Sequence, residues 1–177
     1  MNTCEPIRKR KDIELFKEEL KRNGSRDYML AVLGMNTELM MNKIINLRVR
    51  DVREKTVITI KAAKVIVLSE GLCDELERYT RNMNKDDYLF PSRKGGGPLN
   101  RSSVYSIVRK AAEACTLENI GTISLKKTFA YHHYKEYHDL AYLQKLFRHD
   151  GLSETMRFIG MSEVEIQNYY RKKPLLL

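Results

Sequence analysis

Apolar residues recur at three- and four-residue spacing over much of the chain. From Asp12 onward Ile13, Phe16 and Leu20 share one face, with Glu14, Lys17, Glu18 and Lys21 between them. This spacing predicts an amphipathic helix that stops at Asn23-Gly24. Ser25 is placed to cap a second helix through Tyr28, Met29, Val32 and Leu33 toward Gly34. Thr37 to Leu47 reads as a third helix, with Asn42 placed to cap its second half. The period then changes. Val49 to Val52, Val57 to Ile60 and Val65 to Leu68 are rich in β-branched residues and predict short strands. Lys61-Ala62-Ala63-Lys64 between the last two reads as a tight hairpin tip. Helical spacing returns after Ser69 through Leu72, Leu76 and Tyr79. It returns again after Ser102 or Ser103, through Val104, Ile107, Val108 and Ala111. Two further helices follow Gly121, the second ending at His149. Ser162 with Glu165 forms a capping-box pattern for a last helix up to Tyr170.

The pattern predicts an α+β fold, mostly α-helical, with one small antiparallel three-stranded β-sheet. No internal repeat and no linker divides the chain. Its 177 residues, 42% of them hydrophobic, suffice for one good core, so residues 1–177 are expected to form a single domain. Residues 171–177 read as a basic and apolar tail.

Charge narrows the class of partner. A formal net charge of +9 in a chain that is 31% charged favours a polyanion, most often nucleic acid. Cys4, Cys73 and Cys115 are odd in number and far apart, which fits neither a disulfide framework nor a zinc site and points to the cytoplasm. The N-terminus lacks the apolar core of a signal peptide, and no apolar run approaches the roughly 18 residues of a membrane helix. His132, His133 and His138 lack the carboxylate or thiol partners of a metal site. No metal and no cofactor are expected.

The chemistry centres on residues 121–161, GTISLKKTFAYHHYKEYHDLAYLQKLFRHDGLSETMRFIGM. This stretch resembles the C-terminal half of the tyrosine recombinase (phage integrase) catalytic domain. There the corresponding segments read roughly H-S-L-R-K-T-F-x-Y-H-H-Y, then L-Q-K-x-F-x-H, then T-x-R-Y-I-G. Residues 34–52, GMNTELMMNKIINLRVRDV, are similar to the family's G-x-N-T-G-L-R-I-S-D-L-L-x-L-x-V-x-D-V motif. Residues 88–98 are similar to its Y-L-F-P-S-R-K-G loop, and the segment from Pro6 through Leu20 to the start of the same domain. The resemblance implies a recombinase-like helical core and a double-stranded DNA partner. The chain reads as the catalytic domain alone, without the upstream core-binding domain.

In that family a tyrosine hydroxyl attacks a DNA phosphodiester and forms a 3′-phosphotyrosyl link. Two arginines hold the non-bridging oxygens, a hairpin lysine assists the leaving oxygen, and two His (or His/Trp) positions complete the site. Carried over by position, the first arginine falls at Met40 and the first histidine at Ile123. The second arginine falls at Lys126, and the nucleophile at Phe158. The hairpin lysine is Lys61 or Lys64, and His149 stands at the second His/Trp position. A thioether and an aliphatic chain offer no N–H donor, a lysine lacks the planar fork of arginine, and phenylalanine has no oxygen. The resemblance therefore implies a non-catalytic relative. Met40, Ile123 and Phe158 read most simply as apolar packing residues, and His149 as a hydrogen-bonded helix-end residue. Tyr169 and Tyr170 are the nearest substitute nucleophiles.

For DNA contact the candidates are Lys61, Lys64, Arg93, Lys94, Lys126, Lys127, His149 and Arg157. Two lysines at a helix start are unfavourable with the helix dipole, so Lys126-Lys127 suggests an anionic partner. Arg93-Lys94-Gly95-Gly96-Gly97 lacks P-loop spacing and reads as a basic loop near DNA. The tail could dock on a second copy or on an active recombinase.

Overall fold

The computed structural model describes residues 4–60 and 64–171. Helix α1 (Arg10–Asn23) buries Phe16 and Leu20 and ends at Gly24, whose φ of 131° suits a residue without a Cβ. Helix α2 (Ser25–Asn36) is the centre of the fold. It buries eight residues, among them Met29 to Met35, and packs against α1, α4 (Glu70–Thr80) and α6 (Thr122–Tyr137). A helix covered on nearly every side needs an apolar circumference, and residues 29–35 supply it.

The third helix is far shorter than its periodicity suggests. Thr37 is extended, its hydroxyl donates to the Leu33 carbonyl at 2.8 Å, and it receives the Leu39 N–H at 3.4 Å. That local bonding competes with helix, and α3 is confined to Met41–Ile44 with Met40 as its N-cap. Asn42 caps nothing; its side-chain oxygen is buried without a hydrogen-bond partner. Asn100 caps α5 (Arg101–Ala114) by accepting the Ser103 N–H at 2.8 Å, so neither Ser102 nor Ser103 opens it.

Among the described residues the sheet has two strands, not three. β1 (Val57–Ile60) and β2 (Lys64–Val67) pair antiparallel, with Ile58 opposite Ile66 on the buried face. The segment expected as the remaining strand is a 3₁₀ turn at Val49–Asp51. The Asp51 carboxylate accepts the Arg48 N–H at 2.8 Å, and the carbonyls of Asp87 and Lys85 take the N–H groups of Val49 and Arg50. With those donors satisfied, nothing requires a sheet partner. The hairpin tip, and Lys61 with it, lies outside the described residues.

Two apolar clusters result. The larger joins α1–α5 and the sheet to Ile120 and Leu125. The smaller gathers Ala130 of α6 with α7 (Leu140–Phe147), α8 (Leu152–Phe158) and α9 (Glu163–Arg171) around Leu143, Met156 and Ile166. Helix α6 belongs to both. The capping box at Ser162 and Glu165 opens α9 as the sequence predicts. No described helix is long and apolar enough to cross a membrane.

Helices α2 and α6 pack closely at Gly34, where a Cβ would lie 3.1 Å from Leu125 Cδ1 and 3.2 Å from its Cβ. Gly34→Leu is therefore expected to cost about 1–3 kcal/mol through overpacking, read as a lower urea midpoint at unchanged slope.

Candidate nucleic-acid interface

Elements distant in sequence bring five side chains together at the rim of α6. Lys126 leaves its first two turns with Nζ 3.5 Å from Met40 Sδ, at the start of α3. The same ammonium lies 4.6 Å from the Phe147 ring centroid and 6.0 Å from that of Phe158. Phe147 ends α7 and Phe158 ends α8, and their centroids are 5.0 Å apart. An ammonium against ring faces and a polarizable sulfur is electrostatically favourable.

His149 completes the group. Arg148, in the left-handed conformation at φ 58°, turns the chain out of α7 and delivers the imidazole beneath Phe158. His149 Nδ1 lies 3.0 Å from the hydroxyl of buried Thr155, and its ring is 5.3 Å from the Phe158 ring. With a side chain only 11% exposed, His149 is a hydrogen-bonded packing residue. Thr155→Val would leave a buried ring nitrogen unpaired, at a cost of about 1–3 kcal/mol, measurable by denaturant melting.

Ile123, three residues before Lys126 on the same face of α6, is 39% exposed. It lines a cavity of about 250 Å³ together with Met40, Asn42, Leu125, Lys126 and Arg101. Arg101, the first residue of α5, has no counterpart in the sequence reading, although a cation opening a helix is a legible sign. Phe147 was equally hidden: an aromatic residue in an amphipathic helix looks like ordinary core.

The remaining candidates scatter. Lys127 leaves the helix about 100° round from Lys126, yet its ammonium also reaches the Phe158 ring, 5.7 Å from the centroid. It is 9% exposed, and its ammonium donates to the Cys4 carbonyl at 2.8 Å. Of the pair expected to meet an anionic partner, Lys126 is half-buried and Lys127 is buried. Arg93 donates to the Asn23 carbonyl at 3.2 Å, beside the start of α2. Met40 follows the other end of that helix, so Arg93 and the Lys126 group lie near opposite ends of α2. Lys94 is exposed on the same loop. Arg157 is exposed and donates through Nε to Glu163 at 2.7 Å; this contact raises the guanidinium pKa and lowers that of the carboxyl. Lys64 opens β2. The Tyr170 hydroxyl is within 3.1 Å of Ser153 Oγ in the first turn of α8, the turn opposite Phe158.

His132 and His133 of α6 serve the fold, and His138, at φ 54°, is the C-cap of that helix. His132 Nε2 meets the Ile7 carbonyl at 3.0 Å, and His133 stacks on Tyr142 at 5.0 Å. Burial lowers the His133 pKa below its ordinary 6.5, partly opposed by Asp139. A depressed folded-state pKa contributes stability that is complete above the unfolded value and lost as pH falls through the folded one. Stability is therefore expected to decline on acidification below about pH 6.5, and to decline less in His133→Phe, as measured by urea midpoints at pH 5 and pH 7.5. No cluster of metal-ligating side chains forms among the described residues.

A small sheet lies beside a helical array, and α3, α6, α7 and α8 converge on one cluster. Residues 9–163 match the model of the phage integrase family. A "Probable integrase/recombinase YoeC" of Bacillus subtilis (strain 168) is 38% identical over 177 residues, covering 97% of each chain. The crystal structure of XerA recombinase superposes with a TM-score of 0.75 at 17% identity, over 98% of this chain and 68% of that one. A tyrosine-to-phenylalanine variant of the Tn1549 transposon integrase, in complex with transposon right end DNA, gives 0.63 at 14% identity, over 90% and 63%. The chain belongs to the phage integrase family, the tyrosine recombinases of DNA recombination.

Proposed function

We propose that this chain is a DNA-binding member of the family that no longer cleaves DNA. The observation that carries the reading is the packing of Phe158 against Phe147 and His149, with the Met40 thioether set against Lys126. At the position of the nucleophile there is no hydroxyl, and at the position of the first phosphate-holding arginine there is no N–H donor. Of the carried-over constellation only Lys126, His149 and the hairpin lysine, Lys61 or Lys64, keep a group able to meet a phosphate oxygen.

Loss of a nucleophile from a concerted site costs on the order of 10⁶ in rate. Loss of a transition-state arginine costs roughly 10³ to 10⁵. Phosphodiester cleavage starts from a very slow uncatalysed rate, so these losses together leave no strand transfer by the family's route. Tyr170 does not substitute, because it is engaged at the far turn of α8.

DNA contact on this reading falls to Lys126 with Lys64 and, further along the face, to Arg93 and Lys94. Lys127 is left out because it is buried in the service of the N-terminal segment. The tyrosine-to-phenylalanine Tn1549 variant, in complex with DNA, supports the idea that a hydroxyl is dispensable for holding DNA. The test is fluorescence anisotropy with duplex from the chain's own locus and with random duplex of the same length. Salt-sensitive binding is expected to both, tighter to the native sequence; no binding at low salt would remove the DNA-binding reading. A covalent adduct would instead favour a working recombinase with an altered centre.

A further inference from the structure

We infer that the cavity beside Met40 is a binding site for a small apolar acid, an aryl or short-chain alkyl carboxylate. Its wall is apolar, formed by Leu39, Met40, Ile123 and Leu125, and its charged residues are Lys126 and Arg101. Asn42 also lines it; its side-chain oxygen is buried without a hydrogen-bond partner, and the amide turned by 180° presents N–H donors to a carboxylate instead. The long helices α5 and α6 both open at this cavity, through Arg101 and through Thr122 with Ile123, adding positive dipole ends to the two cations.

The wall discriminates between anions. A phosphodiester oxygen needs several N–H or O–H donors, and Met40 and Ile123 provide none. A carboxylate on an apolar body needs charge at one end and apolar surface at the other, as this cavity offers. Pockets of this kind, mostly apolar with a few convergent polar groups, are what small ligands occupy. The volume of about 250 Å³ admits one aromatic ring or a chain of a few carbons with its carboxylate.

The argument stands on the cavity alone. Lys126 is also part of the proposed DNA face, so where that reading holds, acid and DNA compete for it. The binding test is therefore made without DNA, and its failure is separable from failure of the DNA reading.

The probes are sodium benzoate and sodium hexanoate at constant ionic strength, with benzyl alcohol and hexanol as uncharged counterparts and inorganic phosphate as a bare anion. The readout is the ¹³C-methyl NMR spectrum of the full chain. Saturable shifts confined to Met40, Met41 and Ile123 are expected, with Kd on the order of 1 mM for an acid of about nine heavy atoms. The alcohols and phosphate are expected to bind at least about tenfold more weakly, the factor that one lost charge-assisted contact commonly represents. Lys126→Met should abolish the preference for benzoate over benzyl alcohol, and Ile123→Trp should fill the cavity and abolish binding. Should Ile123→Trp fail to fold, exposed Arg101→Gln serves instead and should weaken benzoate severalfold without changing benzyl alcohol. Shifts that do not saturate, that are equal for acid and alcohol, or that extend to Met156 in the other core would overturn the inference.

Discussion

Phe158→Tyr alone is expected to yield no covalent adduct on a nicked duplex, whereas the combined replacement Met40→Arg, Ile123→His, Lys126→Arg and Phe158→Tyr is expected to yield one. The frame is favourable to the restored hydroxyl: the Phe158 ring already packs against both Phe147 and His149, with Lys126 6.0 Å from its centroid. What a single replacement leaves out is the clamp on the phosphate. With Met40 in place no guanidinium fork holds the non-bridging oxygens, and one such group is worth roughly 10³ to 10⁵ in rate. The single variant thus stays below detection in a reaction whose uncatalysed rate is negligible. Because these groups act together, recovery is expected to be strongly non-additive, with most of it appearing only when Arg at position 40 and Tyr at position 158 are both present. An adduct from Phe158→Tyr alone would mean that Lys126 and His149 suffice, and that the loss lies in the nucleophile only. Adducts resolved on a denaturing gel decide the matter.

DNA affinity is expected to fall by roughly 10² between 50 and 200 mM salt. This follows from neutralising about four phosphates, at a log–log slope near −0.9 for each. Lys126→Gln should reduce the slope by about 1 and weaken native and random duplex alike, because a phosphate contact carries no sequence information. Arg157→Gln should change it less, since the Arg157 guanidinium is already paired with Glu163. Lys127→Gln should leave the slope alone and instead lower stability, because the Cys4 carbonyl loses the ammonium that holds it. A slope equally sensitive to Lys126 and Lys127 would mean that the Lys127 ammonium, 5.7 Å from the Phe158 ring, leaves the Cys4 carbonyl to meet a phosphate. The measurement is anisotropy of each variant across a salt series.

Periodicity made most helices legible. α1, α4, α5 and α9 show their apolar stripes plainly, and the capping box at Ser162 survives in the structure. The failures share a cause: a side chain took backbone groups that the pattern assigned elsewhere. Thr37 ties itself to Leu33 and cuts α3 to one turn, and Asp51 draws Val49–Asp51 into a 3₁₀ turn that β-branched composition had suggested as a strand. At the site, the order of motifs placed Met40, Ile123, Lys126, His149 and Phe158, and the fold brings them to one rim. Sequence order could not give direction. Lys126 and Lys127 look alike as letters and both reach the Phe158 ring, yet one meets Met40 and Phe147 while the other is buried against the Cys4 carbonyl. Arg101 and Phe147 were invisible because their part in the cluster depends on where separate helices begin and end.

The most direct test is one reaction of the wild-type chain with a nicked suicide duplex from its own locus, divided between a native and a denaturing gel. The account predicts a retarded, salt-sensitive complex on the native gel and only free protein on the denaturing gel. A band surviving denaturation, with protein covalently attached to the strand, would contradict it and make the chain a working recombinase.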